Sequence, residues 1–123
     1  MTEEPRDSSP AGDATALERL HGWGGEALQR QLVEMFLGRA PELLARARAA
    51  AEGGDAEGVR RVAHSLKSSA AQMGAVTVRA LCQEAERRAE AGESTSLVPL
   101  VHSLEGEMER YRAWVYDPAG GRM

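Results

Sequence analysis

Apolar residues recur three and four apart over most of the chain, the spacing of helices that bury one face. The longest stripe is Leu97, Leu100, Val101, Leu104, Met108, Tyr111 and Val115. Ser94, Thr95 and Ser96 offer N-caps for it, and Pro99 falls in a first turn, where proline is tolerated. A second stripe, Val59, Val62, Ala63, Leu66, Ala70 and Met73, predicts a helix capped by Asp55 and ended by Gly74. Val78, Leu81, Cys82, Ala85 and Ala89 predict another from Val76 to Ala91, stopped by Gly92. Upstream, Leu28, Leu32, Met35, Phe36, Leu43, Leu44 and Ala47 share a stripe between Glu26 and Glu52. Pro41 interrupts it. Because proline lacks an amide donor and clashes with the preceding turn, two helices are expected, 26–38 and 41–52. Leu17 and Leu20 predict a short helix from Asp13 or Ala14 to His21, with Asp13 as N-cap or Thr15 and Glu18 as a capping box. Gly22-Trp23-Gly24-Gly25 then breaks the chain, and Trp23 is expected to lid one end of the fold.

No run of β-branched residues alternates with polar ones, so the fold class is all-α. Helices of this length joined by short loops pack as antiparallel neighbours. The expectation is an up-down four-helix bundle over residues 13–116, with a short N-terminal helix across one end. Residues 1–12 are rich in Glu, Ser, Pro and Gly and read as a disordered tail; 117–123 read as a loose C-terminal one. A chain of 123 residues makes one domain, and five aromatic side chains leave its core to Leu, Val, Ala and Met.

Charge narrows the function. The net charge is −4, with both signs interleaved, and no basic stripe suits nucleic acid. No apolar run is long enough to span a membrane, and the polar, acidic first residues do not form a signal peptide. The single cysteine, Cys82, excludes an internal disulfide and reads as a small buried residue of its stripe. A cytoplasmic protein fits these features. Met1 and the tail after Asp117 suggest a stand-alone chain, and a monomer is expected because each apolar stripe has a use inside the bundle.

The candidate chemistry lies in Val62-Ala63-His64-Ser65-Leu66-Lys67-Ser68-Ser69-Ala70-Ala71-Gln72-Met73-Gly74-Ala75. At about 100° per residue, His64 stands roughly 140° from the centre of its helix's apolar stripe. Lys67, Ser68 and Ala71 follow at i+3, i+4 and i+7, and Arg60 precedes by one turn on the same side. The pattern sets an outward imidazole beside a cation, with small residues where bulky ones would block a partner. Neutral imidazole is a nucleophile, and with an ordinary pKa of about 6.5 it is substantially neutral near pH 7. A phosphoryl group on its ring would be neutralised by an ammonium one turn away. His21 and His102 lack such a lysine partner. No His, Cys, Asp or Glu set repeats at metal-ligand spacing, so no metal site is expected.

Ala63-His64-Ser65-Leu66-Lys67-Ser68-Ser69 with Met73-Gly74-Ala75 resembles the signature of histidine-containing phosphotransfer (HPt) domains. That signature reads H-x-L-K-G-S/A-S/A, followed by G-A. Ser68 stands where the family often has glycine, and serine is small enough for a partner's close approach. The resemblance implies the same bundle fold over about residues 14–115. It also implies His64 as phosphoacceptor, loaded from a receiver-domain aspartate or by a hybrid histidine kinase and unloaded onto another receiver. Lys67 would stabilise the phosphoryl group, and Arg60, Ser68, Ala71 and Gln72 would belong to the docking face. Any Mg²⁺ would sit on the receiver. A polar residue of the following helix often orients the imidazole in this family, and by position that residue is Glu86. Glu86 equally fits an exposed row with Arg87 and Arg88.

The chain has no phosphate-cradling G-x-x-x-x-G-K-[ST] loop and is too short for a kinase domain, so it does not load itself from ATP. An alternative is a non-catalytic helical adaptor that sequesters a receiver or histidine kinase, with His64 as a contact. A third reading makes His64 a general base. An open, convex setting favours relay or adaptor; a cleft favours the enzyme.

Overall fold

The computed structural model describes residues 11–120 and 122. They form four α-helices: α1 (Ala14–Glu52), α2 (Ala56–Met73), α3 (Val76–Glu90) and α4 (Leu97–Val115). Short 3-10 turns lie at Ser94–Ser96 and Pro118–Gly120. No strand occurs among the described residues. Helix α2 packs against α1 and α3, and α4 closes the ring by packing against both. The stripes read from the sequence for α2, α3 and α4 are the ones buried. In α1, Phe36, Leu43, Leu44 and Ala47 are buried as read, but Met35 is exposed and Leu28 and Leu32 are half-buried, while Val33 and Leu37 fill the core in their place. Every named apolar position of α4 is in the core, as are Val59, Ala63, Leu66, Ala70 and Met73 of α2 and Val78, Cys82, Ala85 and Ala89 of α3. Val62 and Leu81 lie half-buried at the margins.

An expectation about α1 is corrected. Pro41 does not split it: helical backbone runs through this position, and the only non-helical residues inside α1 are Gly24 and Gly25. Pro41 is exposed, while Leu37, Ala40, Leu43 and Leu44 around it are buried. Packing of that shared face outweighs the loss of one amide donor. The break falls at Gly24 and Gly25, within the interruption expected at Gly22–Gly25, and the Gly25 φ of 74° is a left-handed value that glycine adopts without strain. The segment before it is the predicted short helix, extended through Trp23. Buried Gln29 donates from Nε2 to the Leu17 carbonyl at 3.0 Å, tying the two sides of the break together.

Trp23 is no lid, being 72% exposed. Trp114 takes that role. Its ring packs 5.7 Å from Tyr111, which meets Phe36 edge-on at 5.6 Å. Gly12 lies against the Trp114 ring, and the Arg122 guanidinium stacks over it at 4.2 Å while donating to its carbonyl. Ala11 and Gly12 are therefore buried rather than tail-like, and Arg122 is held to the bundle. The disorder expected for residues 1–10 lies outside the described residues.

The histidine helix is capped at both ends. Asp55 accepts from the Gly58 amide at 2.9 Å. At the other end Gly74, with φ 71°, turns the chain so that the Ala75 amide reaches the Ala70 carbonyl at 2.9 Å, a Schellman closure. A Cβ at Gly74 would lie 2.6 Å from the Asp13 carbonyl oxygen, so α1 begins in contact with the end of α2. The Asp13 amide also donates to the Gly74 carbonyl at 2.7 Å, and the buried Tyr111 hydroxyl donates to the Met73 carbonyl at 2.6 Å.

Candidate functional site

His64 projects from the middle of α2 with its side chain 65% exposed, on an open face rather than in a cleft. Its Nδ1 lies 2.8 Å from Glu86 Oε2 of α3. The other Glu86 oxygen, Oε1, forms an ion pair with Lys67 Nζ at 2.5 Å, angled outside hydrogen-bond geometry. One carboxylate thus serves both groups that the i, i+3 spacing of α2 sets side by side.

Glu86 itself is only 8% exposed. Burial raises its carboxyl pKa, but Lys67 and His64 together outweigh burial and hold it below the ordinary glutamate value. The group is therefore ionised near neutral pH. An ionised carboxylate only accepts, so Nδ1 is the donor of this contact, and a ring that carries its single proton there keeps the Nε2 lone pair for chemistry. The alternative setting for Glu86, a row with Arg87 and Arg88, is occupied by another residue. Glu84 accepts from Arg87 at 2.6 Å and from Arg88 at 2.6 Å, which together push its carboxyl down to about 2.

The remaining predicted residues scatter around this centre. Ser68 and Ala71 are exposed on the same helix. Arg60 is turned away into a double hydrogen bond with Glu57, at 2.9 and 2.7 Å. Gln72 lies on the α1 side, lining a groove with Leu32 and Met35. His21 is exposed, and His102 has only Glu105 at 3.7 Å, so neither reproduces the His64 arrangement. Cys82 is fully buried beneath Glu86, and desolvation with the nearby Glu86 charge pushes its thiol up to about 12. Among the described residues no group of three His, Cys, Asp or Glu side chains could hold a metal ion. No helix among them is long and apolar enough to cross a membrane.

Sequence reasoning missed the α1 side of this face. Arg39, Arg46 and Arg61 line one groove together with Ser65, the neighbour of His64. Arg39 and Arg46 belong to α1 and Arg61 to α2, so the grouping exists only once the helices pack. Its sole sequence signal is the i+7 spacing of Arg39 and Arg46 on one face of α1.

Four packed helices that display a carboxylate-oriented histidine beside a lysine define a phosphotransfer bundle. The Hpt domain family model matches residues 31–114, and the chain belongs to this family. Among solved structures, the chain is similar to histidine-containing phosphotransfer protein B (HptB) from Pseudomonas aeruginosa PAO1. The two share 32% identity with a TM-score of 0.76, over 85% of this chain and 98% of that one. Comparison with curated proteins finds no match. Family and fold together support a phosphotransfer intermediate of two-component signalling.

Proposed function

We propose that the protein is a phosphorelay intermediate whose acceptor atom is His64 Nε2. The observation that carries this reading is the Nδ1–Glu86 contact of 2.8 Å on an imidazole that is otherwise open to solvent. The Nε2 lone pair attacks the phosphorus of a receiver's aspartyl phosphate. As the N–P bond forms, the bond from phosphorus to the aspartate oxygen breaks, and its electron pair returns to that carboxylate. The ring gains positive charge, and its Nδ1 proton stays in the hydrogen bond to Glu86. The Lys67 ammonium faces the charge on the phosphoryl oxygens. The reverse sequence delivers the group to a second receiver aspartate. We assign the divalent cation of such transfer to the receiver, since the carboxylate beside His64 on this chain is already committed to His64 and Lys67.

The connections between helices are short, Gly53–Asp55 and Gly74–Ala75 among them, and support an antiparallel up-down course. Ser68 and Ala71 leave room for a receiver's approach. A monomeric cytoplasmic protein fits the internal use of the apolar stripes.

The test is transfer from receiver domains loaded with acetyl phosphate, using wild type, His64→Gln and Lys67→Ala. Acid-labile, base-stable label that is absent from His64→Gln is the expected result, with slower labelling of Lys67→Ala. Receivers that bind wild type yet never label it would overturn the relay reading in favour of a sequestering adaptor.

A further inference from the structure

A protein–protein contact of standard size covers about 800 Å² on each partner, far more than the exposed row of α2. A partner that reaches His64 must therefore spread onto α1 or α3. On the α3 side Glu86 is engaged by His64 and Lys67 and Glu84 by Arg87 and Arg88, which among the described residues leaves Glu90 as the unpaired carboxylate there. The α1 side is concave. A groove of about 190 Å³ there has an apolar floor, with Leu32, Phe36 and Leu66 below an exposed Met35. It continues into one of about 430 Å³, the two sharing Arg39, Leu43 and Ser65.

The second groove is basic. Its only acidic lining residue is Asp55, whose carboxylate caps α2. Arg46 and Arg61 have exposed glutamates at 3.5 Å, and Arg39 has no ion-pair partner among the described residues. This cationic end belongs to a chain of net charge −4, so the local field opposes the overall one.

We infer that the α1 side of His64 is the docking surface, and that it selects receiver domains whose contact face sets an apolar side chain beside carboxylates. The apolar side chain enters between Leu32 and Met35, and the carboxylates meet Arg39, Arg46 and Arg61. The inference rests on the phosphotransfer reading and adds the chemistry of the partner. Charges at the rim of such a contact govern encounter and partner choice.

The test uses a panel of receiver domains loaded with acetyl phosphate. Transfer KM and kcat, and Kd by titration of the same receivers, are measured at low and high salt. Arg39→Glu is expected to raise KM and Kd about tenfold for the receivers that work best, with kcat little changed. Arg39→Glu/Arg61→Glu should raise them further, and high salt should shrink both effects. Arg79→Glu, on the exposed side of α3, should have less effect; circular dichroism checks folding of each variant. Wild-type KM and Kd for both arginine variants, or a larger loss from Arg79→Glu, would overturn the inference while leaving His64 as acceptor. Absence of label from wild type would instead refute the relay, while the Kd series would still decide the docking surface.

Discussion

Replacing Glu86 with glutamine tests how the imidazole is prepared for attack. The variant keeps an oxygen that can accept from Nδ1 but removes the charge. In the nucleophilic form of the ring, with Nε2 unprotonated, Glu86 Oε2 accepts from Nδ1 at 2.8 Å. As the N–P bond forms, the ring becomes cationic and the contact becomes an ion pair, so its strengthening acts on the transition state. Hydrogen bonds to charged groups contribute roughly 1.5–3 kcal/mol. The imidazole is 65% exposed and water screens the pair, so about half of that, about 0.8–1.5 kcal/mol, is the sounder figure. That corresponds to about a four- to twelvefold slower transfer, at roughly 1.4 kcal/mol per factor of ten. The assay is the initial rate of phosphoryl transfer from a saturating loaded receiver, paired with ¹⁵N chemical shifts that read the His64 tautomer. Glu86→Gln is expected to slow the rate and raise the share of ring bearing its proton on Nε2. An unchanged rate with an unchanged tautomer ratio would refute the reasoning. Stability carries a second signature. Because the folded carboxyl titrates below its unfolded value, its contribution is full above the ordinary glutamate pKa of about 4.3. It is lost as the pH falls through the lowered folded value, so the denaturation midpoints of wild type and Glu86→Gln should converge on acidification.

Two further predictions concern the framework. Tyr111→Phe removes the buried donor to the Met73 carbonyl and should cost about 1–2 kcal/mol, or about 4–10 °C in Tm, by thermal melt; a change within about a degree would refute it. Cys82, fully buried with its thiol pushed up to about 12, should resist alkylation by iodoacetamide in the native protein at mildly alkaline pH and react once unfolded. Rapid native alkylation detected by mass spectrometry would contradict that burial.

The helix stripes were legible because burial in a bundle follows a period of 3.6, which α2, α3 and α4 obey with few interruptions. The pairing of His64 with Lys67 was legible for the same reason, since i and i+3 share a face on any helix. Glu86 was half legible: position and family resemblance pointed to His64, but only packing of α2 on α3 decides between that contact and an arginine row. Pro41 misled because a local penalty of one lost amide bond competes with a long buried face that the rule does not see. Trp23 misled in the opposite sense, as its bulk suggested burial while Trp114, farther along the chain, already occupied the bundle end with Gly12 and Arg122. The arginine groove was illegible because its members come from two helices whose mutual register no local pattern encodes.

The fastenings at Gly74 and Met73 have a metrological consequence. Hydrogen bonds from Asp13 and Tyr111 hold the final carbonyls of α2 at 2.7 and 2.6 Å, so the helix has a fixed zero point. A slip of a single residue from that origin would carry the imidazole about 1.5 Å along the axis and about 100° around it. His64 lies ten positions back from Gly74, and rigid helical pitch transmits the datum across that span. The atomic spacing between Nδ1 and Glu86 is thus calibrated from the end of the bundle rather than at the reacting group, which is free to face a partner.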